Sequence, residues 1–267
     1  DLRHGRLAEL LLTIDATRAT IVADGATMIS LVLQTEVARF LTRTDSSDDG
    51  GATLVTRVAF NPTGDASWTG PISSLLDNLS MLTILLTGAA LIRERERGTI
   101  EHLMVMPVSS FDIAMAKIWA NGLILIIAFV ISLTFVVQGA MAVPLAGSVP
   151  LLLVGTALFI FATAAIGIML ATLARSMAQF AMLFMLTYLP IMQLSGGVSP
   201  VENQPEILQH VTWFLPSRHY LDFANSVLFR AAGLDVVWPQ IVTIAGLGTI
   251  FFSISLSLFR RSIEASG

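Results

Sequence analysis

Five long apolar segments occupy most of the chain after Pro71, and they constrain its fold more than any other feature. A helix needs about 20 apolar residues to cross the hydrocarbon core of a bilayer, and each segment is close to that length. Only 13% of the 267 residues are charged, whereas soluble domains carry about 25%. The sequence therefore predicts a mainly α-helical, polytopic membrane protein with about five transmembrane helices, at about 72–92, 118–137, 150–173, 180–196 and 239–259.

The positions of lysine and arginine predict how these spans are oriented. Basic residues concentrate in loops that remain in the cytoplasm. They follow the first span, separate the third span from the fourth and follow the fifth, whereas the loop at 138–150 has none. These residues are Arg93, Arg95, Arg97, Lys117, Arg175, Arg260 and Arg261. The pattern predicts a cytoplasmic C-terminus and an extracytoplasmic location for residues 1–70.

Residues 1–70 differ in composition from the transmembrane domain at 71–267, and they predict a small extracytoplasmic α/β domain. Residues 10–14 and 54–60 have the pattern of short strands, and residues 23–43 carry apolar side chains at helical spacing. An odd number of spans after an external soluble start indicates that one preceding span is missing from this chain. We therefore expect this domain to be partial and one further span to precede it.

The segment between the fourth and fifth spans predicts two short helices, within about 203–232. Pro205 is expected in the first turn of the first helix. Pro216 and Ser217 are expected at the start of the second helix, and Gly233 at its end. Its apolar face would carry Tyr220, Leu221, Ala224, Val227 and Leu228. Together with Trp213 and Trp238, Tyr220 suits an aromatic belt, so we expect re-entrant helices that lie on the outer surface or dip partway into the membrane.

A run of alternating charges, RERERG, follows the first span directly. Glu94, Glu96 and Glu101 alternate with arginines, and such a stretch can form complementary ion pairs with a partner protein. Gly98 and Thr99 offer a break in the chain and then an N-cap for a further helix, which Pro107 would end. Ser109 or Ser110 is expected to cap the element that follows. The alternative interpretation is a solvated, basic anchor that has no partner.

This run resembles ABC-2-type exporter permeases. The resemblance is carried by residues 93–103 (RERERGTIEHL), by Met106-Pro107-Val108 with Lys117, and by the weaker elements Asn61-Pro62 and LSGG at 194–197. It extends over about residues 55–267. Within the family, the chain is most similar to the drug-type or inner membrane transport permease group of Gram-negative bacteria.

The resemblance implies a homodimer or heterodimer of six-helix permeases in the bacterial inner membrane, driven by a separate or fused ABC ATPase. It also implies a coupling helix at about 97–108 that sits in a groove of the ATPase. The residues expected to couple to the ATPase are Arg93, Glu94, Arg95, Glu96, Arg97, Gly98, Thr99, Glu101 and Pro107. Because the family has a span before its external domain, the chain as given is expected to be a truncated permease.

Several kinds of chemistry have no motif in this chain. It contains no GxxxxGK followed by Ser or Thr, so ATP is expected on the partner subunit and no cofactor on this chain. It also lacks HExxH, GxSxG and cysteine, and its four histidines do not have the spacing of metal ligands. No basic patch with interleaved aromatic residues indicates a nucleic acid partner. We predict no catalytic or metal-binding residue.

Asp77 is the only ionisable acidic or basic residue in the predicted spans. Such residues are candidates for functional sites, and Asp77 and Asn78, together with Ser195, Gly196 and Gly197, are candidates for a gate or a substrate path. The alternative is a solvated or capped carboxylate near the outer end of the span. This scarcity of carboxylates argues against a proton-coupled secondary transporter.

We therefore predict the permease subunit of an ATP-driven exporter of hydrophobic or amphipathic substrates. The alternative is a non-transporting membrane scaffold that anchors an envelope complex. The sequence leaves open whether a periplasmic adaptor binds. It also leaves open whether two stripes of small residues are contacts within one bundle or a dimer face; these are Thr163, Gly167 and Ala171, and Ala245, Thr249, Ser253 and Ser257.

Overall fold

The computed structural model describes residues 9–15, 28–29, 31–33, 35, 53–59, 69–98, 109–143, 145–196, 201 and 204–264. The chain divides into two compact units, residues 1–70 and residues 71–267. Predictions for residues outside the described ranges, including Thr99, Glu101, Pro107 and Gly197, are not addressed by the structure.

The first unit contains two paired strands. Strand β1 (Glu9–Asp15) and strand β2 (Thr53–Ala59) are parallel, with Glu9 opposite Thr53 and Asp15 opposite Ala59. Both predicted strands are confirmed, each starting one residue earlier than expected. Parallel strands require a crossover connection, and the described residues between 28 and 35 are helical. The extracytoplasmic location of this unit stays a prediction.

The second unit consists of helices. They are α1 (Thr69–Glu96), α2 (Ser110–Ile131), a π-helical continuation of α2 (Ser132–Ala140), α3 (Val149–Leu173), α4 (Met177–Leu194), α5 (Glu206–Thr212), α6 (Pro216–Arg230) and α7 (Leu234–Glu264). Five are long and apolar enough to cross a membrane, namely α1, α2 with its continuation, α3, α4 and α7. The predicted number of spans is therefore confirmed, although the π-helical continuation was not anticipated.

Local capping explains where three of these helices begin. The Ser109 side chain accepts a hydrogen bond from the backbone N–H of Asp112, and the Asp112 carboxylate accepts one from the Ser109 backbone, so the two form a capping box. Ser148 and Ser176 cap α3 and α4 in the same position. Each cap satisfies an N–H group that a helix start otherwise leaves unbonded. The expected cap at Ser109 or Ser110 is thus confirmed at Ser109.

Helix α3 is the central element of the bundle, and most of its residues are buried. At its middle it approaches α1 closely: a Cβ atom added to Gly167 would lie 2.6 Å from the backbone oxygen of Ile84. Thr163 and Ala171, on the same stripe, are also buried. This stripe therefore makes a contact within one bundle. By contrast, Thr249, Ser253 and Ser257 on α7 are exposed in the single chain.

The two short helices lie within the predicted segment, but two details of the prediction are wrong. Helix α6 does not extend to Gly233; it ends at Arg230, and Ala231 takes the left-handed conformation with φ of +50°. Tyr220 is not at an exposed aromatic belt, because it is only 1% exposed. Its ring stacks on Phe159 with centroids 4.1 Å apart, and its hydroxyl lies 2.7 Å from Thr156 Oγ1. Helix α6 therefore packs against protein.

The predicted apolar face of α6 is confirmed. Its five members, Tyr220, Leu221, Ala224, Val227 and Leu228, are all buried. At the helix end, the backbone N–H of Ala146 donates to the carbonyl of Leu228 at 3.0 Å. This contact satisfies one of the carbonyls that the end of a helix leaves unbonded. Trp213 and Trp238, unlike Tyr220, are exposed.

Candidate functional site

The charged end of α1 meets three other helices at one end of the bundle. Helix α1 continues past the predicted limit at Ile92 to Glu96, so the charges lie on its last turn rather than in a separate segment. The start of α2, the end of α3 and the start of α4 all contact this turn. We call the contacts made by Glu94, Arg95 and Glu96 the junction.

Glu94 joins α1 to α2 through an ion pair with Lys117. The Lys117 side chain is 13% exposed and that of Glu94 is 34% exposed. The second carboxylate oxygen of Glu94 is buried and has no hydrogen-bond partner among the described residues. An ion pair away from bulk water is screened less than a surface pair. Loss of Lys117 would leave the Glu94 carboxylate as a poorly solvated negative charge. The pair ties together the two helices that flank residues 97–109.

Arg95 joins α1 to the end of α3. Its guanidinium donates to the backbone oxygens of Ala171, Thr172 and Ala174, at 3.5, 3.4 and 2.9 Å. The last carbonyls of a helix lack partners within the helix and carry partial negative charge. A cationic side chain placed there supplies hydrogen-bond donors to these carbonyls and balances their partial negative charge. Arg95 therefore caps α3 from a neighbouring helix.

Glu96 joins α1 to the start of α4. Its carboxylate accepts a hydrogen bond from the backbone N–H of Met177 at 2.8 Å. The side chain of Ser176 accepts from the N–H of Gln179 at 3.3 Å, one turn into the same helix. Negative charge is favourable at a helix N-terminus because the exposed N–H groups carry partial positive charge. Glu96 and Ser176 thus cap α4 together.

Arg93 and Arg97, like Glu96, are exposed, whereas Glu94 and Arg95 are partly buried. The Nε of Arg93 donates to the backbone oxygen of Ala89 on its own helix, at 3.3 Å. Arg97 and Gly98 form a turn, and Gly98 has φ of +68°, which ends α1. The predicted coupling helix, at about 97–108, lies outside the described residues apart from Arg97 and Gly98. The break expected at Gly98 is confirmed.

Sequence reasoning assigned Glu94, Arg95 and Glu96 to a partner protein and missed their contacts within the chain. A usable signal was present in the spacing. Successive residues of a helix point about 100° apart, so three adjacent charges on a helical turn face three directions. Each direction here holds a different neighbouring helix. Whether these residues also couple to an ATPase stays a prediction.

The second set of candidate residues lies toward the opposite end of the bundle. Asp77 is half-buried and Asn78 is exposed on α1, and the Tyr188 hydroxyl on α4 donates to the backbone oxygen of Asp77 at 3.1 Å. Ser195 is buried and donates to the backbone oxygen of Met192 at 2.9 Å. Gly196 has φ of +97° and ends α4. These two groups make separate hydrogen bonds.

Three further observations concern chemistry. Within the described ranges, no group of three His, Asp or Glu side chains has the arrangement of a metal site. The Nε2 atom of His219 lies 2.7 Å from the backbone oxygen of Trp213, which places this histidine in a contact between α6 and the segment before it. Burial raises the pKa of the Tyr220 phenol, with a smaller opposing effect from Thr156, so this hydroxyl stays protonated.

Comparison with known proteins identifies close relatives. The family model described as ABC-2 type transporter matches residues 53–229. The chain is 42% identical over 263 residues to the inner membrane transport permease YhhJ of Escherichia coli (strain K12), covering 98% of this chain and 70% of the relative. It is 28% identical over 212 residues to the probable multidrug ABC transporter permease YbhR of the same strain, covering 79% of this chain and 57% of the relative. The junction lies within the region that the family model matches.

Proposed function

The chain belongs to the ABC-2 type transporter family and is a transmembrane transporter subunit; from this premise we propose that it is the permease of an ATP-driven exporter. The substrate is hydrophobic or amphipathic and leaves the cytoplasm or the inner membrane. The energy comes from ATP hydrolysis on a partner ATPase, which binds at the junction end of the bundle. The permease works as a homodimer or heterodimer in the bacterial inner membrane, with its C-terminus in the cytoplasm.

The observation that carries this proposal is the junction itself. Glu94, Arg95 and Glu96 connect the end of α1 to α2, α3 and α4. A displacement applied at this point therefore acts on four membrane helices at once. A basic anchor without a partner needs only exposed charge, as at Arg93 and Arg97, and does not need contacts with three other helices.

The place where force would enter is the segment between α1 and α2. Its two ends are held by the Glu94–Lys117 ion pair and by the Ser109 cap on α2. A partner that moved residues 99–108 would thus move both helices together. The interior between α1 and α3 is closely packed at Gly167 and Ile84, and close-packed interiors transmit displacement rather than absorb it.

The proposed substrate class is supported by helix α4. It exposes Met182, Met185, Leu186 and Leu189 on the single chain. Methionine is flexible and polarisable, and it adapts to apolar ligands of varied shape. Phe184, on the same helix, is buried and is not part of this surface. The name of the relative YbhR, a probable multidrug permease, is in keeping with such a substrate.

The test is to purify the permease with its cognate ATPase in lipid nanodiscs and to measure ATP hydrolysis. The variant Glu101→Lys lies in the predicted coupling segment, and we expect it to lower permease-dependent ATP hydrolysis. The matched control is Glu206→Lys, which reverses an exposed charge at the start of α5. If a pull-down with the permease captures envelope proteins and no ATPase, the scaffold hypothesis is correct instead.

A further inference from the structure

Asp77 lies at a depth where a free charge is costly. Taking residues 72–92 as the part of α1 within the membrane, Asp77 is five residues from one boundary, or about 7 Å along the axis. No other Asp, Glu, Lys, Arg or His occurs in the five predicted spans. Ionisable side chains within a membrane are retained at a cost and usually face a partner or a water-filled space.

The Asp77 carboxylate has no partner among the described residues. The hydrogen bond from Tyr188 goes to the backbone oxygen of Asp77 and leaves the side chain unused. This contrasts with the junction, where Glu94 is paired with Lys117 and Glu96 with the N-terminus of α4. Asp77 is also partly exposed, which leaves the residue open to a ligand.

The helix that contacts Asp77 through Tyr188, α4, is apolar and aromatic. Tyr188 stacks on Phe184 with centroids 5.3 Å apart, and Phe184 stacks on Phe180 at 6.4 Å. Beside Tyr188, α4 exposes Leu189, and one turn earlier it exposes Met185. Asp77 thus lies next to a helix whose exposed side chains are apolar. A negative charge and an apolar surface on neighbouring helices match a molecule with one positive charge and a large apolar body.

We infer that Asp77 makes this permease select cationic amphipathic substrates, whose positive group lies against the carboxylate while the apolar body lies on the exposed face of α4. The inference rests on the proposed function, because it names the charge of the exported substrate. Attraction between opposite charges is strong where water is scarce. The positive group of the substrate is also the partner that the described residues do not provide for the Asp77 carboxylate.

The test uses two probes of nearly the same shape and opposite charge, tetraphenylphosphonium and tetraphenylborate. Their binding to the purified permease in lipid nanodiscs is measured with the wild type and with Asp77→Asn. We expect the wild type to prefer the cation. We expect Asp77→Asn to weaken binding of the cation by about tenfold, as loss of one partly solvated charge pair implies, and not to weaken binding of the anion. Asp77→Glu should restore binding of the cation.

The matched control is Asp235→Asn, which removes an exposed carboxylate from the first turn of α7 and should change neither affinity. Equal loss of both probes in Asp77→Asn, or unchanged binding of the cation, would overturn the inference. Tighter binding of tetraphenylborate than of tetraphenylphosphonium by the wild type would also overturn it. This measurement does not depend on the folding of any variant.

The proposed function is tested separately by ATP-dependent transport of the two probes in vesicles that contain the permease and its ATPase. Selective binding of the cation without ATP-dependent transport would contradict the exporter and leave the Asp77 site standing. Transport of both probes at rates that Asp77→Asn does not change would contradict the inference and leave the exporter standing.

Discussion

Glu96 accepts a hydrogen bond from the backbone N–H of Met177, 2.8 Å away and 81 positions along the chain. The contact places the last residue of α1 against the first residue of α4. Glu94 contacts α2 and Arg95 contacts α3, so four helices meet at one turn of α1. A charge pattern that is usually read as a marker of topology thus has a structural role.

The ion pair between Glu94 and Lys117 gives the first prediction. Glu94→Lys places two positive charges together in a partly shielded site, so we expect the permease to lose about 1–2 kcal/mol of stability, between the values typical of surface and buried pairs. ATP hydrolysis by the bound ATPase should fall as well. Thermal unfolding in detergent and ATP hydrolysis in nanodiscs measure the two effects.

The exchanged pair Glu94→Lys with Lys117→Glu is the informative control. It restores an ion pair of opposite orientation between the same helices. If the role of Glu94 lies within the chain, both stability and ATP hydrolysis should recover. Recovery of stability without recovery of ATP hydrolysis would mean that Glu94 also contacts the ATPase.

The close approach of α1 and α3 gives the second prediction. Gly167→Ala adds a methyl group 2.6 Å from the backbone oxygen of Ile84, so the helices must separate. Overpacking of this kind costs about 1–3 kcal/mol. Gly246→Ala is the matched control, because no described atom beyond the adjoining backbone of its own helix lies within 4 Å of the added Cβ there. This change should be neutral or slightly stabilising. A Gly167→Ala variant as stable as Gly246→Ala would contradict the packing described for these helices.

The buried hydroxyl pair of Tyr220 and Thr156 gives the third prediction. Their oxygens lie 2.7 Å apart between α6 and α3. Tyr220→Phe removes one partner, and we expect a loss of about 1 kcal/mol, the usual net value of a hydrogen bond. Unfolding measurements on Tyr220→Phe, Thr156→Val and the double variant complete a cycle. Strictly additive losses would show that the two hydroxyls do not interact.

The sequence alone was sufficient for features that depend on neighbouring residues. The lengths of the apolar segments predicted five spans, and the serines at 109 and 110 predicted the cap on α2. The apolar face of α6 was also predicted correctly from its spacing. Hydrophobic length and helix capping are both local properties. A helix cap depends on about four consecutive residues, and the ability to span a membrane depends on the length of a single apolar helix.

Features that depend on which helices are neighbours were not predicted. Tyr220 is of a residue type common at the membrane–water interface, and it is buried only because α6 packs its ring against Phe159 on α3. Ala231 ends α6 in a left-handed conformation that glycine usually takes, since the chain must turn there toward α7. The partner role proposed for the residues from Arg93 to Pro107 stays a prediction.

The sequence by itself determined that this protein is a bundle of membrane helices with a basic end, because apolar length and charge decide what a bilayer accepts. Only the tertiary structure decided what the charges do. The groups that Arg95 and Glu96 contact lie 76 to 81 positions away, and no local pattern reports which helix ends will be brought together. The energy of a charge depends on its surroundings, and packing alone sets these.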